Sequence, residues 1–332
     1  MKLVTKKELA TKLQGKKILF ITTKNIDYIR NTQNLEILES NSISVHKLHS
    51  NSNNYLCRLM SVYFQILKTS TSKYDLIFIG FLPQLVLPIF SWKFKSPVYI
   101  DVFISLYDTL VNDRKKFSPK SMIARFSKWL DKKALHKASK IIVDAMENGK
   151  YFAKKFQLNT EKINVLYFEA DKKIYTPKEQ CKPPHLQNKF VVLYFGSILP
   201  LQGVETIISA IEILKDEPDI FFQMIGPVSE GVYKGDNVEY IPWLSQQELS
   251  HYIANADLCL AGHFNDKIEK GKRSIAGKTF IYDAMEKQMI LGDNPANHEL
   301  YSPSKQYKFV EMGNEKKLAT LICQLREDWK QR

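Results

Sequence analysis

Two glycines carry the first chemical signal. In Val191–Ile208 (VVLYFGSILPLQGVETII) an apolar run ends at Gly196, a short loop follows, and Gly203 opens a helix. A strand, loop and helix in that order aim backbone N–H groups and the positive end of a helix dipole at an anion such as a phosphate. The spacing is not G-x-G-x-x-G and no Walker lysine motif occurs, so the segment alone also fits an ordinary β–loop–α turn. Leu258–Leu300 repeats the arrangement: a strand to Ala261, a polar loop to Gly277, and a helix from about Lys278. The loop brings Lys267, Lys270, Lys272, Arg273 and Lys278 near a second helix N-terminus. Two such ends in one domain point to a shared diphosphate site. His263, at the strand end beside the basic loop, belongs with it, whereas the other histidines read as surface or core.

The first half offers a different constellation. Tyr99–Arg114 (YIDVFISLYDTLVNDR) is a strand followed by a polar loop with Ser105, Tyr107, Asp108 and Arg114. Asp108 or Asp101 could meet a hydroxyl or a sugar there, or serve as a turn or helix cap. Tyr28 and Arg30 follow the first strand at the same kind of position. Residues 114–140 hold ten Lys and Arg against one acid, Asp131. Within them Met122, Ile123, Phe126, Trp129, Leu130 and Leu135 recur at helical spacing, interleaved with Arg125, Lys128, Lys132 and Lys133. That pattern is either a core-facing helix with a solvated basic face or a helix lying on anionic lipid with Trp129 near the interface. No helix-turn-helix, RNA-recognition or zinc signature accompanies the charge, so nucleic acid is not expected as a partner.

The elements that must position these groups alternate along all 332 residues. Strands are expected at Lys17–Thr22, Leu76–Gly80, Val98–Phe103, Lys140–Asp144 and Ile163–Tyr167, then at Val191–Phe195, Ile220–Ile225, Val238–Ile241, Asp257–Ala261 and Met289–Gly292. Most are apolar throughout, as strands covered on both faces are. Helical periodicity marks Val204–Lys215 and Gln246–Ala254. The length and the alternation predict an α/β chain of two doubly wound, Rossmann-like domains facing a cleft, joined through the proline-bearing Thr176–Lys189. The domains are expected at residues 1–178 and 179–315, with a final helix over 316–332. Residues 1–180 hold 31 Lys and Arg against 15 Asp and Glu, while 181–332 hold 17 against 20, so the first domain should face something anionic. Leu76–Trp92 is uncharged over 17 residues, but Gly80, Pro83 and Pro88 interrupt it, and a strand, turn and short helix fit better than a membrane span. No secretory leader is visible, and four scattered cysteines suit a reducing compartment.

The second half resembles glycosyltransferase family 4, retaining nucleotide-sugar transferases of the GT-B fold. Three segments carry the likeness in order: YFGSILPLQGVETIISAIEIL, FFQMIGP with NVEYIPWLSQQELSHYIANADLCLAG, and GKTFIYDAMEKQMILGDNPANHEL. The first half is similar more weakly, through DLIFIGF, IDVFISLYDTLVNDRKK and ASKIIVDAMENGKYFAKKF. The resemblance implies a donor site at Gly196, Ser197, Gln202, Gly203, Gly226, His263, Phe264, Ser274, Gly277, Thr279 and Asp283. Together with the loop positions above, this gives a catalytic set of Asp108, Asp101, Lys278 and Arg273, and acceptor-side candidates Tyr28, Arg30, Ser105, Tyr107 and Arg114. Ser197 and Gln202 stand where the family carries Arg and Lys, Ile281 where it has the glutamate that holds the ribose, and Glu286-Lys287 where a small-Gly turn follows. Asp283 lies about 200° further round a helix than Ile281 and cannot simply take over.

What the resemblance implies is transfer from a nucleotide sugar, most readily a UDP-sugar, to a glycan acceptor, expected to be lipid-linked, in bacterial surface polysaccharide or glycoconjugate synthesis. No cofactor is expected, and the lack of any D-x-D speaks against the fold in which a metal bridges the diphosphate. The enzyme would sit on the cytoplasmic face of the membrane, with Arg125, Lys128, Trp129, Lys132 and Lys133 toward lipid and the last helix crossing back to the first domain. A catalytically silent binding subunit of the same fold is the alternative that the substituted positions leave open.

Overall fold

The computed structural model describes residues 1–179, 181–227 and 231–331. It forms two compact units, Met1–Phe168 and Glu169–Arg332. Residues 169–178 therefore group with the second unit rather than the first. The segment is tied there by Lys178, whose Nζ donates to Ser250 Oγ at 2.8 Å, and by the Lys182–Asp257 ion pair. The prolines of the expected join lie inside the second unit, and Gln180 lies outside the described residues.

The first unit is a seven-stranded parallel sheet of β1 (Lys2–Leu3), β2 (Lys17–Ile21), β3 (Ser44–Leu48), β4 (Leu76–Ile79), β5 (Val98–Asp101), β6 (Lys140–Val143) and β7 (Ile163–Val165), ordered β1-β7-β6-β5-β4-β2-β3. Its helices are α1 (Lys6–Lys12), α2 (Ile29–Asn41), α3 (Tyr55–Lys68), α4 (Leu87–Phe90), α5 (Met122–Lys137) and α6 (Met146–Phe156). Polar caps set several starts: Asn54 accepts from the N–H groups of Leu56 and Cys57, and Ser121 from that of Ala124. Because the chain reverses direction across the sheet at β3, right-handed crossovers place α1 and α2 on one face and α3 to α6 on the other. Two core layers follow. Leu9, Leu13, Leu35 and Leu38 pack on one face, and Val62, Ile66, Phe90, Leu135 and Phe152 on the other. Leu76–Trp92 resolves into β4, a turn and α4, and no helix among the described residues is long and apolar enough to cross a membrane.

The second unit is a six-stranded parallel sheet of β8 (Phe190–Phe195), β9 (Ile220–Ile225), β10 (Val238–Ile241), β11 (Leu258–Gly262), β12 (Met289–Gly292) and β13 (Tyr307–Val310), ordered β10-β9-β8-β11-β12-β13. Its helices are α7 (Val204–Ile213), α8 (Gln246–Asn255), α9 (Gly277–Ala284) and α10 (Glu315–Lys330). The apolar sides of α7 and α10 share one core with β8, β9 and β11. Helix α10 clusters with this unit and is held on it by Arg326, which pairs with Asp219 and Glu217. The final helix, expected over 316–332, begins at Glu315 and is seated on the second unit's own core.

The chain order reverses at β8, so the segments leaving β8 and β11 at their carboxyl ends come out side by side. Open α/β sheets bind ligands at such a point.

Candidate functional site

In the second unit the two segments singled out by sequence meet at one lysine. The Lys278 ammonium, in the first turn of α9, donates to Gln202 Oε1 at 2.6 Å and sits 4.0 Å from the centre of the Tyr194 ring. The side chain is buried, and no carboxylate among the described residues pairs with it. Desolvation alone holds its pKa well below the ordinary lysine value. Gly196 gives it room, since a Cβ there would lie 3.0 Å from the ammonium nitrogen. Gly203 is required for another reason: at φ +68° a Cβ would come within 2.5 Å of the Phe264 and Asn265 backbone. That contact lets the Phe264 N–H donate to the Gln202 carbonyl at 3.0 Å, which locks the loop after β8 to the loop after β11.

The surroundings of this cation hold polar atoms with nothing to bond. Neither α7 nor α9 has a side-chain cap, so no N-cap side chain takes the first-turn N–H groups at either start. The hydroxyls of Tyr194 and Thr279 are buried without a hydrogen-bond partner. Tyr194, Gly196, Val204, Gly226 and Pro227 line a small pocket beside them. Asn294, in the loop after β12, likewise leaves its amide Nδ2 unpartnered and buried. Sequence reasoning did not single out Tyr194 or Asn294; only an anion-site geometry makes a buried phenol beside a lysine stand out.

Other expected donor residues take supporting roles. His263 is buried, its pKa driven down to about 3 by desolvation and by Lys278 and Lys270, so the ring is neutral at pH 7. Its Nδ1 lies 3.2 Å from the Ser274 carbonyl and must carry the proton, because a carbonyl only accepts. Ser274 Oγ donates back to the Lys270 carbonyl. Arg273 is half-buried and desolvation lowers its pKa to about 10, which leaves it cationic. Ser197 lies in the loop after β8, Gly277 opens α9, and the Gly226 N–H donates to the Ile241 carbonyl. Asp283 is a correction: its carboxylate accepts the Tyr307 hydroxyl at 2.5 Å, on the β13 side of α9 and about 140° round the helix from Lys278. The Gln202 position gains a physical reason, since a lysine there would face the Lys278 cation.

The first unit corrects more. Asp101, expected in the catalytic set, is held in a buried ion pair: both its oxygens accept from Arg30, Nε at 2.9 Å and Nη2 at 3.0 Å, and one accepts from Asn34 at 2.7 Å. Arg30 is spent in the same way and also donates to the Leu166 carbonyl, so it leaves the acceptor set. Ser105 donates to the buried Asp131, whose carboxylate also accepts the Leu106 and Tyr107 N–H groups and so caps that turn. Asp108 is buried as well, beside Asn112 and Lys155, and is not an open base. Lys155 sits 4.5 Å from the Tyr107 ring centre, and desolvation brings its pKa down to about 8. Arg114 is exposed. What the structure assembles instead, from loops after β2, β4 and β5, is an aromatic cluster: Tyr28 packs on Phe81 and Phe103, with Lys24 over the first two rings. On α5, Arg125, Lys128, Trp129 and Lys132 are exposed, and Lys133 lies over the Trp129 ring.

The fold these sites are built on recurs in solved structures. HepE from Anabaena, in complex with UDP and glucose, matches with a TM-score of 0.65 at 15% identity over 95% of this chain and 91% of its own. The sucrose-phosphate synthase of Thermosynechococcus elongatus matches with a TM-score of 0.65 at 13% identity, over 94% and 90%. A glycosyltransferase of Rickettsia africae matches with a TM-score of 0.64 at 12% identity, over 95% and 89%. No protein-family model matches the chain, and no curated protein matches its sequence. Over nearly its whole length, then, the chain has the two-domain α/β fold of these proteins.

Proposed function

We propose that this chain is a GT-B glycosyltransferase, related to family 4, that moves a sugar from a UDP-sugar to a glycan acceptor. The observation that carries the reading is Lys278: a buried cation without a counter-ion, wrapped by Gly196, Gln202 and Tyr194 and flanked by two uncapped helix starts. A cation in that position is satisfied by a ligand that brings two or more negative charges, and a nucleoside diphosphate does so. Several structural neighbours support the choice of base, since their structures hold UDP or UDP-glucose.

In the reaction the bond from the sugar C1 to the diphosphate oxygen breaks, the acceptor oxygen bonds to C1, and the acceptor proton leaves. Negative charge grows on the departing diphosphate, where Lys278, Arg273 and the first-turn N–H groups of α7 and α9 stabilise it. This supply of positive charge is the basis for proposing transfer without a metal, and retention of configuration follows the family. The tyrosine-led cluster of Tyr28, Phe81 and Phe103 offers sugar-stacking rings on the acceptor-bearing unit. The exposed cations and Trp129 of α5 suit a lipid-linked acceptor, hence a peripheral protein on the inner face of the membrane in surface polysaccharide synthesis, with no role for nucleic acid.

The second reading, a silent binding subunit, is favoured by one observation: Ile281 is buried and apolar where a ribose-binding carboxylate is expected. Thermal shift against UDP, GDP, CMP and ADP sugars, with and without EDTA, tests both. A rise with UDP-sugars that survives EDTA and is lost in Lys278→Ala is expected. No rise with any donor defeats the transferase; a rise without turnover of any acceptor leaves the silent subunit.

A further inference from the structure

Ten of the sixteen large apolar side chains exposed among the described residues sit on or just after three neighbouring helices of the first unit. On α3 they are Leu56, Met60, Phe64 and Leu67, from 52% to 70% exposed. At about 100° per residue these four fall within an arc of about 80°. The opposite side of α3 is buried through Arg58, Val62 and Ile66. A helix that is apolar on both sides fits a covered environment, yet one side of α3 is in water. Ile89 and Trp92, on and just after α4, are 43% and 72% exposed, and the first two turns of α5 add Met122, Ile123, Phe126 and Trp129.

These are parts of one surface. The inner sides of α3, α4 and α5 belong to a single core layer on the same sheet face. The Tyr63 hydroxyl of α3 donates to the Leu85 carbonyl, and its ring packs edge-on against Phe90 of α4 at 5.0 Å. Lys93 Nζ donates back to the Leu67 carbonyl at 2.7 Å, and α4 packs on α5. Such a patch exceeds the scattered apolar residues normal on a monomer and marks a docking face.

Charge decides what docks. Residues 55–95 hold five Lys and Arg and a single acid, Asp75, whose carboxylate is occupied by the Lys17 N–H at 2.7 Å. Residues 114–140 hold ten against Asp131, which is buried. A second copy of this chain would set two basic rims against each other. Nucleic acid would leave the aliphatic stripe uncovered. An anionic bilayer takes both, with headgroups at the rim and acyl chains at the stripe.

We infer that the outer faces of α3 and α4 are a lipid-inserting anchor, and that the basic residues of α5 and the 93–95 segment bind the headgroups around it. The inference rests on the membrane reading proposed above and goes beyond it, because α3, not α5, holds the protein on the bilayer once charge is screened. Flotation of the full chain with vesicles of phosphatidylglycerol and phosphatidylcholine tests this at about 0.1 M and 1 M salt, where screening lengths are about 10 Å and 3 Å. The wild type is expected to stay bound at both. Leu56→Ser, Met60→Ser, Phe64→Ser and Leu67→Ser combined should fold, since these side chains face water, and should lower high-salt binding roughly a hundredfold. Lys128→Glu, Lys132→Glu and Lys133→Glu combined should weaken binding at low salt and spare it at high salt. A blue shift of emission on adding vesicles, lost in Trp92→Phe, gives an independent readout. High-salt binding unchanged in the α3 variant overturns the anchor while the membrane reading stands. No vesicle binding by the wild type overturns both, and a dimer in solution that the α3 variant dissolves assigns the face to a second copy. UDP thermal shift of the α3 variant should match the wild type, so the donor reading is scored separately.

Discussion

At the scale of single residues, burial separates function from structure more sharply than residue type does. Lys278 and Arg30 are both buried cations, but Arg30 has Asp101 and Lys278 has no acid. A lysine held below its ordinary pKa destabilises the fold, because the unfolded chain binds a proton over a range where the folded chain does not. Stability must therefore rise with pH between the folded value and the unfolded value near 10.4. Lys278→Met should raise the unfolding midpoint of the free protein, by about 1 kcal/mol, flatten that pH slope and abolish the UDP-induced shift. Scanning calorimetry with and without UDP checks all three, and a destabilised variant that still binds UDP contradicts the site. At pH values where the free protein has released the Lys278 proton, binding of a diphosphate should take one up, so affinity falls as pH rises there, which calorimetry in buffers of different ionisation enthalpy detects. Arg30→Ala leaves Asp101 buried and charged with only the neutral Asn34 as partner, and should cost about 3–5 kcal/mol in urea unfolding. A stable Arg30→Ala protein with lost activity would return that pair to the acceptor site. The sequence could not distinguish the two cases: Asp101 stands at a strand end like a substrate ligand, and the Arg30 that claims it is 71 residues away.

Among the elements, legibility followed burial. The strands expected from apolar runs are present within a residue or two at their ends, the widest differences being Val98–Phe103, which stops at Asp101, and Ile163–Tyr167, which stops at Val165. The strands not expected are β1, β3 and β13, and all three are sheet edges. β3 (SVHKL) is exposed along most of its length and β13 (YKFV) is half-buried, so neither needs the uninterrupted apolar run that marks a strand covered on both faces. The basic helix α5 was legible as a helix, but its partition was not. Leu130 and Leu135 go to the core, while Met122, Phe126 and Trp129 face water, a division set by α4 lying against one side. The seat of α10 joins an apolar side, through Leu318, Ile322 and Leu325, to an ion pair that sequence alone does not place: Arg326 binds Asp219, which holds that carboxylate at about 2. An acid with a lowered folded pKa contributes stability that is present above its unfolded value and is lost as pH falls toward the folded one. The urea midpoint should thus drop between about pH 4 and pH 2. Arg326→Met should lower the midpoint at neutral pH and lose less on acidification; an identical acid profile would remove the ion pair from the account of α10.

For the whole molecule, the division of charge and of polar atoms predicts two ligands on two units. The uncompensated lysine, with the unpartnered Tyr194 and Thr279 hydroxyls, is in the second unit, whereas the apolar layer and most of the positive charge are in the first. A ligand that binds only the folded state slows opening of the segments it covers, so amide exchange maps each one. UDP should protect residues 196–205, the Gly226 region and 262–279, and leave α3 to α5 at their free rates. Anionic vesicles should protect residues 55–68, 87–95 and 122–130 and leave the donor loops unchanged. The donor segments share a property that makes this discriminating: the loops after β8 and β11 are joined by the Phe264–Gln202 hydrogen bond and a Gly203 that admits no Cβ, so a diphosphate on one must slow exchange in both. Protection by UDP in only one of the two loops would break the shared site into separate turns. Protection by UDP around Tyr28 and Phe103 instead would move the donor to the first unit and overturn the assignment of roles.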